Sequence, residues 1–375
     1  MSLADKLESL VLTSPEYQTY PLGDFSLQKG GTLPSAFLAY KTFGSPSSPA
    51  ILYPGWFSGL ISDNEWLIGS DKALNPENYF IIITGLIGNG QSISPSNSSI
   101  SPFPDVTIYD NVRAQHQLVT DKLGITHLRL ILGWSMGGCQ TFQWATQYPD
   151  FMDICVPFCG SARTAIHNQV FLEGVKSALL AAKGRKSAGS TSGRVEDKGS
   201  EDRKWTEEEK TVGLKAFGRA YAGWGFSQAF YRHELYKSGY GAKDLEDFMV
   251  TFWEKWALSK DPENLLAMIQ TWQLGDVSRQ EPFDGDFEKA MGSIKAKTLV
   301  LPSMTDLYFP PEDSEYEVKC MKPGVGELDI YPSIWGHWAG GPPGNMEDVK
   351  WLDDRVKKIL AEAPELGSTK KATTA

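Results

Sequence analysis

The segment from residue 128 to residue 149 places a buried strand, a tight turn around a serine and a helix in direct succession. The run LRLILG (128–133) has the apolar character of a strand buried on both faces. The motif GWSMG (133–137) follows as G-x-S-x-G and opens a helical pattern that continues to Tyr148. A serine in this setting lies on a strained turn beside a helix N-terminus, which favours negative charge. The segment predicts Ser135 as a nucleophile, the alternative being a structural glycine-rich turn.

Further short apolar runs alternate with helical patterns along the chain. We expect buried strands at AILYPG (50–55), YFIIIT (79–84), ICVPF (154–158), KTLVLP (297–302) and ELDIYP (327–332). Helices are expected over residues 106–123, 136–148 and 346–361. Apolar strands separated by helices are typical of a mostly parallel central sheet with helices on both faces. Together with the serine motif, this pattern predicts the α/β-hydrolase fold.

Residues 161–290 differ from the rest because they are helical in pattern, rich in aromatic residues and without clear central strands. We interpret them as a helical lid inserted between two parts of one core, residues 1–160 and 291–375. Within the lid, residues 184–204 are dominated by glycine, serine and charged residues. Such a composition cannot bury a core, so this stretch is expected to be a mobile loop.

A serine nucleophile needs a base, and in this fold the chain order is serine, acid, histidine. His337 is the only histidine after the later strands, in a glycine-flanked loop that follows ELDIYP. Asp306 follows the strand KTLVLP and is the expected acid, which would hold the histidine tautomer. Asp284 and Asp286 are competing acids that precede this strand. The remaining histidines are expected to be ordinary surface or partly buried residues, namely His116, His127, His167 and His233.

Acyl transfer also needs two preorganised N–H donors for the developing oxyanion. The backbone N–H of Met136, directly after the nucleophile, is one expected donor. The second donor should come from the loop after the strand AILYPG. Trp56 is the best candidate, because it follows Pro54 and Gly55.

Composition limits the class of partner and the compartment. The net charge of −10 argues against nucleic-acid and anionic-membrane surfaces, which attract basic proteins. Because no apolar run is long enough for a signal peptide or a membrane span, the expected address is cytoplasmic. The four cysteines are few and irregularly spaced, so neither disulfides nor a metal site is expected. The expected partner is a small-molecule acyl substrate, with no resident cofactor.

Five segments resemble the homoserine O-acetyltransferase group of α/β hydrolases. They are FPDVTIYDNVRAQHQLVTDKLGI (103–125), LILGWSMGGCQTFQWATQYPD (130–150), GSARTAIHNQVF (160–171), SMTDLYFPP (303–311) and GHWAGG (336–341). The resemblance implies a ping-pong mechanism, in which the serine takes an acetyl group from acetyl-CoA and passes it to the homoserine hydroxyl. It also implies a homodimer formed through the lid.

The chain departs from that group where the acceptor would bind. The group has an acid directly after its catalytic histidine, and here that position is Trp338. Its lid arginine matches Arg219, but its tyrosine seven positions later is Phe226. A desolvated ammonium without a carboxylate partner costs several kcal/mol, so homoserine is not the expected acceptor. A more apolar pocket is expected, lined by Trp134, Trp224, Phe226 and Trp338. Arg219 is expected to orient a substrate carboxylate or phosphate. The alternatives are lid and core packing for the aromatics and a salt bridge for the arginine.

Three functions remain open at this point. The first is hydrolysis of an ester or thioester through an acyl-serine, which the altered acceptor positions favour. The second is O-acyl transfer from acetyl-CoA to an alcohol. The third is ligand binding without catalysis, but such a protein typically lacks a triad member, and Ser135, Asp306 and His337 are all present.

Overall fold

A computed structural model describes residues 17–183, 204–341 and 344–364, so the expected mobile loop at 184–204 lies outside the described residues except for its last position. Within these residues, eight strands form one sheet. They are β1 (Gln18–Ser26), β2 (Thr32–Phe43), β3 (Ala50–Pro54), β4 (Phe80–Thr84), β5 (Leu128–Trp134), β6 (Met152–Phe158), β7 (Lys297–Val300) and β8 (Gly326–Leu328). The spatial order is β1-β2-β4-β3-β5-β6-β7-β8. The first two pairings are antiparallel, and all the others are parallel.

The centre of the sheet is buried on both faces. Every residue of β3, β4, β5 and β6 is buried, as parallel strands covered by helices require. This arrangement confirms the predicted mostly parallel sheet. The hairpin of β1 and β2 was not predicted, because β1 is largely exposed and its pairing is irregular around Pro21 and Gly23.

Helices cover the sheet and fill the interval between β6 and β7. They are α1 (Ile108–Gln117), α2 (Met136–Gln147), α3 (Ile166–Leu180), α4 (Glu207–Gly225), α5 (Gln228–Arg232), α6 (Leu235–Tyr240), α7 (Leu245–Phe248), α8 (Lys255–Leu258), α9 (Pro262–Gln273), α10 (Phe287–Gly292), α11 (Pro311–Cys320) and α12 (Met346–Glu362). Single π-helical segments extend α1 and join α7 to α8, at Leu118–Lys122 and Met249–Glu254. No helix in the described ranges is long and apolar enough to cross a membrane.

We call residues 161–290 the helical insert. Its described part contains α3 to α9 and the start of α10, all between β6 and β7. The insert follows directly from the carboxyl end of β6, where the parallel strands β3 and β5 also end. That it acts as a lid stays a prediction.

Candidate active site

Ser135 lies on the turn between β5 and α2, in a conformation that side-chain-bearing residues rarely adopt. Its φ is +58° and its ψ is −126°, a strained combination that the surroundings must hold in place. The turn is too tight for neighbouring side chains. A Cβ on Gly133 would lie 2.2 Å from the carbonyl carbon of Gly137, and one on Gly160 would lie 2.6 Å from the carbonyl oxygen of Ser135. The glycines therefore permit the turn that presents Ser135 at the carboxyl end of the sheet.

Asp306 and His337 form a buried hydrogen-bonded pair. His337 Nδ1 lies 2.7 Å from Asp306 Oδ2, and the two side chains are 4% and 0% exposed. The other carboxylate oxygen, Oδ1, accepts hydrogen bonds from the backbone N–H groups of Tyr308 at 2.7 Å and Phe309 at 3.2 Å. Because the carboxylate only accepts, the pair requires a proton on Nδ1 and leaves Nε2 of the neutral imidazole as the acceptor.

Trp134 joins the histidine to the serine turn. Its indole stacks on the His337 ring, with centroids 4.9 Å apart and planes at 24°. Its Nε1 also donates to the backbone carbonyl of His337 at 3.1 Å. Since Trp134 directly precedes Ser135 in the chain, these contacts bring the imidazole to the side of the nucleophile turn. The structure thus gives Trp134 a supporting contact, and its predicted role as a pocket wall stays a prediction.

The two expected oxyanion donors lie on segments that pack closely together. Met136 is the first residue of α2, and Trp56 follows the end of β3. A Cβ on Gly137 would lie 2.7 Å from the carbonyl oxygen of Pro54, so α2 approaches β3 as closely as a glycine allows. Gln140 of α2 adds a direct link, because its Nε2 donates to the carbonyl oxygens of Gly55 at 2.8 Å and Met136 at 3.1 Å. Sequence reasoning missed Gln140, although a glutamine in a helix that packs on a buried strand was the available signal.

The helical insert holds the loop that follows Trp56. Trp256 Nε1 donates to Ser58 Oγ at 3.2 Å, and Lys260 Nζ donates to the Ser58 carbonyl at 2.8 Å. Burial lowers the pKa of Lys260, and the neighbouring carboxylate of Asp63 opposes this shift. These contacts, which the sequence did not indicate, tie the second oxyanion segment to the insert.

Aromatic side chains surround the histidine and the adjoining face of the insert. The ring of Trp338 packs against Phe226 at 5.0 Å, and Phe226 is completely buried. Tyr308 meets the His337 ring edge to face, with centroids 4.8 Å apart, and Tyr221 lies 5.6 Å from Tyr308. Burial raises the pKa of both tyrosine hydroxyls, which therefore stay neutral. Beside the Asp306 carboxylate, these surroundings consist of aromatic rings and neutral hydroxyl groups.

Arg219, the residue predicted to bind a substrate anion, forms ion pairs with two carboxylates. Its Nε donates to Glu254 at 2.6 Å, and its two terminal nitrogens donate to Glu246 at 3.1 and 2.5 Å. Glu254 is 7% exposed, whereas the arginine side chain is 40% exposed. The guanidinium already serves two carboxylates, so it is not a free cation for substrate. These ion pairs are those of the salt-bridge alternative, and a contact between Arg219 and substrate stays a prediction.

Two of the other candidate side chains, those of Asp286 and His127, have other hydrogen-bond partners. Asp286 caps α10 by accepting from the backbone N–H of Lys289 at 3.0 Å, and Asp284 lies in the preceding turn at a φ of +53°. His127 pairs with Asp153 at 2.6 Å. Among the described residues, no group of three or more histidine, cysteine, aspartate or glutamate side chains is placed to hold a metal ion.

Known proteins share this architecture along nearly the whole chain. The family described as alpha/beta hydrolase fold matches residues 50–191. An ethyl acetate hydrolase of Pseudomonas veronii is 34% identical over 354 residues, which covers 92% of this chain and 95% of that protein. A crystal structure of an acetylester hydrolase from Corynebacterium glutamicum has a TM-score of 0.84 at 33% identity, covering 92% and 96% of the two chains.

A homoserine O-acetyltransferase of Haemophilus influenzae is 29% identical over 373 residues and covers 92% of this chain and 97% of that protein. Both the esterases and the acetyltransferase thus match the core and the helical insert together. The similarity to the acetyltransferase group, predicted from five segments, is confirmed. The chain belongs to the α/β-hydrolase family, in the group that contains esterases and homoserine O-acetyltransferases, and it is an enzyme that hydrolyses esters or transfers acyl groups.

Proposed function

We propose that the enzyme hydrolyses short-chain carboxylic esters of uncharged alcohols, with Ser135, Asp306 and His337 as its catalytic triad. The main support for this proposal is that the positions where the acetyltransferase group binds its amino-acid acceptor offer no free charged side chain here. Arg219 is bound by two glutamates, and Trp338 and Phe226 pack on each other in the aromatic surroundings. An amino-acid acceptor would have to leave its ammonium and carboxylate groups without charged partners there. Water needs none of these contacts.

In the proposed acylation step, His337 Nε2 takes the proton of the Ser135 hydroxyl while the serine oxygen bonds to the ester carbonyl carbon. The carbonyl oxygen becomes an oxyanion, held by the backbone N–H groups of Met136 and Trp56. When the intermediate collapses, the bond to the alcohol oxygen breaks, and the imidazolium returns its proton to the leaving alcohol. Asp306 keeps the proton on Nδ1 throughout and stabilises the imidazolium.

Deacylation repeats the same steps with water. His337 takes a proton from water while the water oxygen bonds to the acyl carbon. When this intermediate collapses, the bond between the acyl carbon and the Ser135 oxygen breaks, and the imidazolium returns its proton to that oxygen. The carboxylic acid leaves and the free serine is restored. Each half-reaction uses the same two N–H donors, because the oxyanion forms on the same oxygen.

The substrate class follows from the surroundings of the site. The His337 and Asp306 side chains are 4% and 0% exposed, and aromatic rings crowd them. Such surroundings favour a small, uncharged acyl group over a long or charged one. The names of two similar proteins, an ethyl acetate hydrolase and an acetylester hydrolase, support acetyl esters in particular.

The test compares ethyl acetate and p-nitrophenyl esters of acetate, butyrate and octanoate, with Ser135→Ala as the blank. We expect turnover of the acetate esters, a steep loss towards octanoate and no turnover by the variant. Release of CoA from acetyl-CoA is measured in parallel, with and without homoserine. CoA release that requires homoserine would replace the hydrolase proposal with acetyl transfer, and full activity of Ser135→Ala would contradict both.

A further inference from the structure

We infer that Gln140 is a positioning residue that aims the N–H of Trp56 into the oxyanion hole. Gln140 lies on the first turns of α2 and is completely buried. Its Nε2 donates to the carbonyl oxygen of Gly55 at 2.8 Å and to that of Met136 at 3.1 Å. One side-chain amide therefore touches both segments that carry the proposed donors. This inference rests on the proposed function.

The contact acts on Trp56 through the geometry of the peptide bond. The carbonyl of Gly55 and the N–H of Trp56 belong to one planar trans unit, so they point in opposite directions. Holding the oxygen therefore fixes the direction of the N–H. The neighbouring units are fixed as well, because Gly55 N–H donates to Thr84 at 2.8 Å and the Trp56 carbonyl accepts from Gly59 at 3.1 Å. Gln140 supplies the restraint on the unit between them.

A chain of side chains sets which way the Gln140 amide faces. The indole of Trp144 can only donate, and it donates to Gln115 Oε1 at 2.8 Å. The Gln115 amide nitrogen therefore faces the other way and donates to Gln140 Oε1 at 2.6 Å. With its oxygen so occupied, Gln140 must present its NH₂ group to Gly55. The donor and acceptor directions along this chain of hydrogen bonds are therefore set by the Trp144 indole, which can donate a hydrogen bond but cannot accept one.

The same helix offers a matched control. Gln143 is 2% exposed, and its Nε2 donates to Gln280 at 3.0 Å and Gln147 at 3.2 Å. Like Gln140, it is a buried and hydrogen-bonded glutamine of α2. Its described hydrogen bonds lead away from the segments of Met136 and Trp56. Replacing it tests the loss of a buried amide without disturbing the proposed donors.

The experiment compares Gln140→Met and Gln143→Met for melting temperature, kcat and KM with p-nitrophenyl acetate, and inhibition by a small trifluoromethyl ketone. This inhibitor forms a tetrahedral adduct with the serine whose oxyanion occupies the hole. We expect Gln140→Met to lower kcat about 10- to 100-fold, since loss of a whole donor costs about 10²–10³. KM should change less than about twofold, and inhibitor affinity should fall in parallel with kcat. Gln143→Met should keep kcat within about twofold at a similar loss of melting temperature.

Equal kcat values for the two variants, or a Gln140→Met effect confined to KM, would overturn the inference. If Gln140→Met does not fold, Gln115→Met provides the test, because it leaves Gln140 in place but removes the hydrogen bond that keeps its NH₂ group facing Gly55. That variant should lose kcat and inhibitor affinity together, by about 3- to 10-fold, and unchanged values would refute the role. The proposed function fails separately, through an active Ser135→Ala variant.

Discussion

Replacing Asp306 with asparagine should remove most of the activity through the tautomer of His337. The backbone N–H groups of Tyr308 and Phe309 hold one carboxylate oxygen in place, at 2.7 and 3.2 Å. In Asp306→Asn, the amide oxygen stays with these two donors and the NH₂ group faces Nδ1. The imidazole must then accept at Nδ1 and carry its proton on Nε2, where it cannot take the serine proton.

The size of the loss in kcat follows from the free-energy cost of the other orientation of the asparagine amide. Turning its oxygen to the imidazole would leave both backbone N–H groups unpaired, at about 1–3 kcal/mol each. The productive tautomer would then be populated about 30- to 10⁴-fold less, and the triad template shows a loss of about 10⁴. We expect kcat for p-nitrophenyl acetate to fall by about 10³–10⁴, with the melting temperature little changed.

The matched control is Asp286→Asn, because Asp286 caps α10 and asparagine caps helices equally well. This variant should keep kcat within about twofold. A kcat of Asp306→Asn within tenfold of the parent enzyme would refute the tautomer argument. Loss of activity in Asp286→Asn alone would assign the acid to the other loop.

Three further predictions concern packing, charge and pH. In Gly137→Ala, the added methyl group would lie 2.7 Å from the Pro54 carbonyl oxygen. The variant should therefore lose about 1–3 kcal/mol of unfolding free energy, measured by chemical denaturation, and its kcat should fall in a hydrolysis assay. Arg219→Met should lower the melting temperature, because the buried Glu254 loses one ion-pair partner. Its kcat/KM for acetate esters should stay within about threefold of the parent value. A much larger loss of activity would show that Arg219 contacts substrate. Burial raises the pKa of Asp348 from 3.8 to about 6, so its contribution to stability falls as pH rises between these values. Asp348→Asn should therefore gain about 1–2 kcal/mol over the parent at pH 7 and little at pH 4, and an equal difference at both pH values would contradict the shift.

The buried strands could be read from the sequence, and the exposed hairpin could not. Strands β3 to β6 are covered on both faces, so each appears as an apolar run that predicts its position to within a few residues. The exposed strand β1 has no such run, and only its pairing with β2 defines it.

Sequence reasoning placed Asp306 and His337 correctly relative to each other because each follows its own strand in the chain order of the fold. Their supports could not be predicted, since they depend on contacts between distant segments. Trp134 and His337 are 203 positions apart, and the two carboxylates that occupy Arg219 lie 27 and 35 positions after it. A sequence shows that an arginine is present but not which acid reaches it. The catalytic roles, the lid and the homodimer stay predictions.

The bonds from Trp256 and Lys260 to Ser58 restrict how this enzyme can change its substrate range. An insert that only covered the site could be exchanged for that of a relative as an independent module. Here the insert also contacts the loop that carries Trp56. If Trp56 is an oxyanion donor, as proposed, an exchanged insert would change the rate with every substrate, and not only the choice among substrates. We therefore expect new specificities of this enzyme to arise more readily by single replacements on the aromatic faces than by recombination at the borders of the insert.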